Sequence, residues 1–181
     1  MDAKGWDTLG IEKHAAARAF AERSYGLSMH DEDMLPEFPD ASLDAISLWH
    51  VLEHIYPIHE RLAGFRDKLS DDGTLFVALP NMNAFDARKY GRYWAAYDVP
   101  RHIYHFNPDT ALSMMSKSGF SHIATRPMPL DAYYISILSE KYMGRSLKYF
   151  RALFNGSLSN AKAFFMHGNY SSLIYIFKKS K

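Results

Sequence analysis

The sequence predicts an α/β fold, with helices covering both faces of a sheet, and three observations carry that prediction. Leu43, Ala45, Ile46 and Leu48 make a short, nearly continuous apolar run, the pattern of a strand covered on both faces in a parallel sheet. Thr74 to Leu79 is a second such run, stopped by Pro80 and Asn81. Segments with helical spacing of apolar residues lie around them, and an apolar content of 48% in 181 residues is enough to close a core.

From the N-terminus, Met1 to Gly5 is a polar leader and Trp6 to Ile11 a strand that ends at Glu12. An acid closing a strand ahead of a helix can accept hydrogen bonds from ribose hydroxyls, as in dinucleotide folds, or serve as an ordinary first-turn carboxylate. His14 to Tyr25 follows as a helix, with Ala16, Ala17, Phe20, Ala21 and Tyr25 on its apolar face and Gly26 as its stop. Leu27 to Met29 is a short strand leading into the acidic turn His30-Asp31-Glu32-Asp33. There Asp31 or Glu32 can accept from an exocyclic amine such as that of adenine, or simply stay solvated. Pro36, Pro39 and Asp40 mark a loop.

The Leu43 strand then runs into Trp49, His50, Glu53 and His54. Ligands of open α/β sheets bind at the carboxyl ends of strands, which places this cluster, Trp49 and His50 included, at the binding site. Pro57 to Leu69 reads as a helix with Leu62, Phe65 and Leu69 on one face, and Asp71-Asp72-Gly73 turns the chain into the Thr74 strand. Asn81 to Phe106 is long, irregular and aromatic, which suits a wall for an apolar or aromatic small molecule built from Tyr93, Trp94 and Arg101, or packing onto the sheet edge. His102 or His105 in this loop can act as general base on a hydroxyl, because an imidazole titrates near neutral pH, or be structural.

Asn107 to Gly119 is a well-punctuated helix: Asn107 caps it, Pro108 and Asp109 suit its first turn, and Gly119 stops it. His122 to Met128 and Ser171 to Lys178 are strands, the last buried on both faces. Between them Tyr133 to Phe165 is largely helical, with Ile135, Leu138 and Tyr142, then Leu147, Phe150 and Phe154, at helical spacing. These stripes suit core or a lid over an apolar substrate, and Lys141, Arg145, Lys148 and Arg151 also suit an anionic membrane surface.

Composition narrows the function classes. A net charge of +1 with 23% charged residues argues against a nucleic-acid groove. The absence of cysteine excludes disulfides, thiolate nucleophiles and cysteine-type zinc sites. No apolar run approaches the roughly 20 residues that span a bilayer, and no secretory pattern opens the chain, so a soluble, cytoplasmic protein is expected.

The series Gly10-Ile11-Glu12, Phe38-Pro39-Asp40-Ala41-Ser42-Leu43-Asp44, His50-Val51-Leu52-Glu53-His54, Asp72-Gly73-Thr74-Leu75 and Leu79-Pro80-Asn81 resembles the class I S-adenosylmethionine-dependent methyltransferases. Trp94, Pro100-Arg101-His102 and His105-Phe106 look like the subgroup related to ubiquinone-pathway O-methyltransferases, and the resemblance covers about Trp6 to Gly119. It implies a Rossmann-like sheet with an antiparallel C-terminal edge and methyl transfer from S-adenosylmethionine to a small-molecule acceptor. It also favours Glu12 as the ribose acid. The expected cofactor set is then Glu12, Asp31, Glu32, Trp49 and His50, the acceptor set Tyr93, Trp94 and Arg101, with His102 and His105 as candidate bases. Residues 1–181 read as one methyltransferase-like domain with a mostly helical insertion at about 131–168.

That family opens with a strand and a loop of the G-x-G-x-G kind, and Gly5 and Gly10 do not have its spacing. The first strand and its loop are therefore expected to be missing, because the chain is N-terminally incomplete or because the sheet centre is rebuilt by another route, including a second copy. Unpaired edges there would favour self-association. Two other classes remain. His50-Val51-Leu52-Glu53-His54 matches the H-x-x-E-H pattern of inverted zinc peptidases, but that needs a helix through the motif, and an apolar strand ends at Leu48 with Pro57 close behind. No metal is therefore expected. A non-catalytic methyltransferase-like binding module is the third reading.

Overall fold

The computed structural model describes residues 4–165 and 168–180. The first three residues of the polar leader, and positions 166 and 167 of the helical insertion, lie outside the described residues. In chain order the elements are β1 (Gly10–Ile11), α1 (Ala15–Tyr25), β2 (Met29–His30), β3 (Leu43–Trp49), α2 (Ile58–Lys68) and β4 (Leu69–Pro80). Then come α3 (Phe85–Tyr90), α4 (Pro108–Lys117), β5 (Phe120–Pro127), α5 (Asp131–Tyr142), α6 (Lys148–Phe165) and β6 (Ser172–Lys179).

The strands form two sheets. β1 and β2 pair in parallel over two residues each. β3, β4, β6 and β5 form the second sheet in that order, β3 parallel to β4, and β6 antiparallel to both its neighbours. The antiparallel C-terminal edge is as expected from the sequence. β4 lies inside this sheet, and its Leu75, Val77 and Leu79 are fully buried. Leu62 and Phe65 of α2, Ala111 and Met115 of α4, and Tyr175 and Phe177 of β6 close the same cluster. Burial of each large side chain stabilises by about 1.5–3 kcal/mol, so this cluster is the main source of cohesion. α4 is positioned by its cap: the Asn107 side chain accepts from the Thr110 N–H at 2.9 Å, and the Thr110 hydroxyl accepts from the Asn107 N–H at 3.0 Å.

Several sequence expectations change. The predicted Trp6 to Ile11 strand shrinks to Gly10–Ile11, since only the short β2 offers it a partner. The apolar face of α1 forms but buries nothing. β3 is an edge strand with only Leu48 buried, not a strand covered on both faces, because no strand pairs with its outer side among the described residues. The Asp71-Asp72-Gly73 turn is absorbed into β4 as a bulge, pairing jumping from Leu43 with Leu69 to Ala45 with Thr74. Gly73 allows this, for a Cβ there would lie 2.7 Å from Leu69 Cγ and 3.0 Å from the Leu43 carbonyl oxygen. The loop before β3 carries a 3-10 turn at Glu32–Glu37, and the segment read as irregular contains α3.

α3 nucleates a second core. Tyr90, Trp94, Ala95 and Ile135 are buried together, and a polar network ties α5 and α6 to them. Buried Asp86 accepts from the Trp94 indole at 2.7 Å and from the Ser159 hydroxyl at 2.8 Å. Buried Glu140 accepts from Tyr90 at 3.1 Å and from Asn155 at 3.0 Å. Such a network holds only when its members are satisfied together, which fixes where the α5–α6 hairpin sits.

Candidate active site

β3 delivers its last residues to the carboxyl end of the sheet. Trp49 is half exposed there, and His50 turns away with φ at 54°, a left-handed conformation unusual for a side chain other than glycine. That turn aims the imidazole between two carboxylates. Its Nε2 lies 2.9 Å from Asp131 at the start of α5, and its Nδ1 lies 3.5 Å from Glu53. Burial works against a charge on His50, but the hydrogen bond to Asp131 and the nearby charges of Asp131 and Glu53 outweigh it and raise its pKa to about 9. Asp131 is itself partly desolvated, yet the contact with His50 holds its carboxyl below the usual range.

Glu53 sits in a 3-10 turn, Leu52–His54, and is 1% exposed. Among the described residues neither of its oxygens has an aligned hydrogen-bond donor, and the His50 imidazolium is its nearest compensating charge. His102 stands on its other side, Nε2 at 4.0 Å. The His102 Nδ1–H donates to the Ala96 carbonyl at 2.8 Å, which leaves Nε2 as the basic nitrogen. Burial lowers the pKa of His102 ahead of any gain from that carbonyl or from Glu53, so the ring is neutral and able to take a proton. His54 Nδ1–H donates to the Arg101 carbonyl at 3.0 Å, and its ring packs edge-on against His102 at 4.5 Å.

His105 donates from Nε2 to the Tyr97 carbonyl at 2.9 Å, so that nitrogen is engaged in holding the loop. Trp94 has one face in the second core and also lines, with His102, Tyr104 and His105, a cavity of about 10 Å³. That is room for about one water. Tyr93 is half buried under the Arg92 guanidinium, and the Arg101 guanidinium points to solvent, bound to Asp98 at 2.6 Å. A larger hollow, about 530 Å³ between α2 and α4, contains none of the predicted site residues.

The other predicted group gathers at the ends of β1 and β2. Glu12 follows β1 at once, and its carboxylate accepts from the His14 N–H at 2.8 Å. Arg18 reaches the Glu12 carbonyl at 2.6 Å and pairs with Asp31 at 2.7 Å, while Lys13 pairs with Glu32 at 3.0 Å. Glu12, Asp31 and Glu32 are thus neighbours, each already engaged by a nearby group. Among the described residues no hydrogen bond or ion pair links this group to the one around His50.

A family model described as a methyltransferase domain matches residues 1–125. The chain belongs to that family. Its fold agrees: a SAM-dependent methyltransferase from Archaeoglobus fulgidus superimposes with a TM-score of 0.64 at 16% identity, covering 98% of this chain and 78% of the other. A SAM-dependent methyltransferase from Thermotoga maritima gives 0.64 at 13% identity, covering 94% and 72%. The cyclase SpnF gives 0.59 at 14% identity, covering 95% and 66%, so activity has to be argued from the site and not from the fold. A search among curated proteins finds no match. No helix among the described residues is long and apolar enough to cross a membrane.

For this methyltransferase-domain chain, the sequence pointed to the β3 end but not to what completes it. Asp131 lies 81 residues from His50, with no local signal beyond being an acid in a helix's first turn. Glu53 carried a signal, an acid between Leu52 and His54, yet its burial shows only in three dimensions. The helix that the zinc-peptidase pattern requires does not form, since the motif spans a strand end and a 3-10 turn.

Proposed function

We propose that this chain transfers a methyl group from S-adenosylmethionine to a small apolar or aromatic acceptor, in the manner of the ubiquinone-pathway O-methyltransferases its motifs resemble. The observation that carries the reading is the meeting of the β3 carboxyl end with the His102 loop around buried Glu53. Glu12 binds the ribose hydroxyls, Asp31 or Glu32 the adenine amine, and Trp49 and His50 close the same pocket. Tyr93, Trp94 and Arg101 form the acceptor wall. When bound, the cofactor supplies a methyl group activated on a sulfonium. His102 Nε2 takes the acceptor's hydroxyl proton, and Glu53 stabilises the imidazolium that results, a role suited to a buried carboxylate lacking a donor. His105 is the second candidate base. The surrounding aromatic loop aligns the acceptor and excludes water.

The residues fit the nucleoside half of the cofactor better than its methionine half. Gly5 and Gly10 lack the spacing of the family's glycine-rich loop, which precedes the strand ending at Glu12, and among the described residues β1 and β2 do not pair with the four-stranded sheet. This break also favours a second reading, a methyltransferase-like binding module without turnover, and it motivates self-association through the open β3 edge. Missing contacts to a charged ligand group cost about 1.5–3 kcal/mol each, so the 181-residue chain should bind S-adenosylhomocysteine with a Kd of about 1 mM or weaker. Ligand-observed NMR titration tests this, with Glu12→Ala expected to weaken binding about tenfold further. Micromolar binding would refute the incomplete pocket, an unchanged Glu12→Ala would remove the ribose role, and light scattering that shows a monomer would remove self-association.

A further inference from the structure

α6 is built inside out. Its buried face consists of Ala152, Asn155, Gly156, Ser159 and Ala163. These small residues let α5 approach closely: a Cβ at Gly156 would lie 2.6 Å from the Tyr133 ring. The large apolar residues point the other way. Phe150, Leu153, Phe154, Phe164 and Phe165 are each between 60% and 81% exposed. Their spacing places them within about 120° of one another around the helix, in two groups on one face, Phe150, Leu153 and Phe154 near its start and Phe164 with Phe165 at its end. Large apolar side chains turned outward at both ends of one helix face mark an interaction surface.

The charges around the stripe select its partner. Between Leu130 and Phe165 the acids are Asp131 and Glu140. Asp131 is bound to His50, and Glu140 is fully buried against Tyr90 and Asn155. The cations are Lys141, Arg145, Lys148, Arg151 and Lys162, of which Arg145 and Arg151 lie near Glu140. Lys162 of α6 and Lys89 of α3 both sit over the Phe85 ring, at 4.0 and 5.7 Å, forming a cationic spot beside the stripe. The hairpin therefore presents aromatic and cationic groups with its carboxylates turned inward. Two copies packed stripe to stripe would oppose the same cations with no carboxylate to meet them.

We propose that the outer face of α6 seats this protein on an anionic lipid surface, its phenylalanines entering the interface and its lysines facing lipid phosphates. This inference does not depend on the methyl-transfer reading. Vesicle co-sedimentation of the full chain tests it, comparing pure phosphatidylcholine with equal parts phosphatidylcholine and phosphatidylglycerol. Binding is expected only to the mixed vesicles, falling with added salt. Phe150→Ser with Phe154→Ser should weaken it at least about tenfold, and so should Lys148→Glu with Lys162→Glu. These positions are exposed or partly exposed, so circular dichroism should show both double variants folded, and either pair alone suffices as a test. Three outcomes would overturn the proposal: no binding, equal binding to neutral vesicles, or vesicle binding that both double variants retain. Light scattering showing a dimer that the serine variant dissolves, without vesicle binding, would assign the stripe to a second copy instead.

Discussion

The two ends of the candidate site are held by different means. At the end proposed for the nucleoside, β1 and β2 pair over two residues each, α1 buries no side chain, Glu12 is held by the His14 N–H, and Asp31 and Glu32 are held by surface ion pairs. Around His50, Glu53 and His102, the groups are desolvated and backed by two apolar clusters. Surface pairs are each worth about 0–1 kcal/mol, whereas a buried aromatic contributes several. The end around His50, Glu53 and His102 should therefore be rigid in this chain, and the end around Glu12 shaped by whatever packs on α1 and the outer edge of β3.

The largest effect should come from Trp94→Ala. It removes a 2% exposed indole from the second core and deprives buried Asp86 of a donor, so a loss of about 3–5 kcal/mol in urea unfolding is expected. A loss under about 1 kcal/mol would show that this core is as loose as the α1 side, which breaks the comparison.

Next in size is the His50 contact with Asp131. The pKa of His50 is raised above its unfolded value of 6.5 to about 9, so its contribution is complete below pH 6.5 and is lost as pH rises through about 9. Asp131 has the opposite sign: its lowered pKa contributes above the unfolded value of 3.8 and is lost as pH falls below it. With screening discounted, stability should fall by about 2 kcal/mol between pH 6.5 and 9. Denaturation across that range, compared with Asp131→Asn, measures it, and an equal slope in both proteins would deny that this contact anchors the hairpin.

The sequence made legible what repeats locally. The apolar runs of β3 and β4, the capped α4 and the acid after β1 all follow from spacing within a few residues. It could not show that β3 would be an edge, because burial on its outer face depends on a neighbouring strand, not on Leu43, Ala45 or Ile46. Nor could it tell core from surface on α6, where Phe150 and Phe154 carry the apolar signal yet the buried side is Asn155 and Ser159. Spacing puts His50 just past the carboxyl end of β3, as the structure has it, while its partner Asp131 comes from a distant helix that no local pattern connects to it.

Phe20→Ser sharpens the comparison from the other side. Phe20 is 53% exposed on a helix with no buried residue, so unfolding stability should change by less than about 0.5 kcal/mol. Hydrogen exchange should likewise show α1 opening far more readily than β4. A loss of 2 kcal/mol or more would mean that α1 is covered in solution, and self-association would be the first cause to check by light scattering.

Zinc is expected to have no effect at all, and that expectation bears on what should make the end around His50, Glu53 and His102 the firmer one. Glu53, His54 and His102 offer ligand atoms within 4.8 Å of one another, and a buried carboxylate without a donor would welcome a cation. The imidazolium of His50 already stands 3.5 Å from that carboxylate, however. The 4.0 Å between His102 Nε2 and Glu53 also exceeds the roughly 3.4 Å between ligands of tetrahedral zinc, and the motif lacks the helix that would align His50 with His54. Elemental analysis of the purified chain should find no stoichiometric zinc, and a chelator should leave the unfolding midpoint unchanged. One zinc per chain, lost on His54→Ala or His102→Ala, would mean that metal binding and not packing makes this end firm, since the binding energy of a structural metal is folding energy.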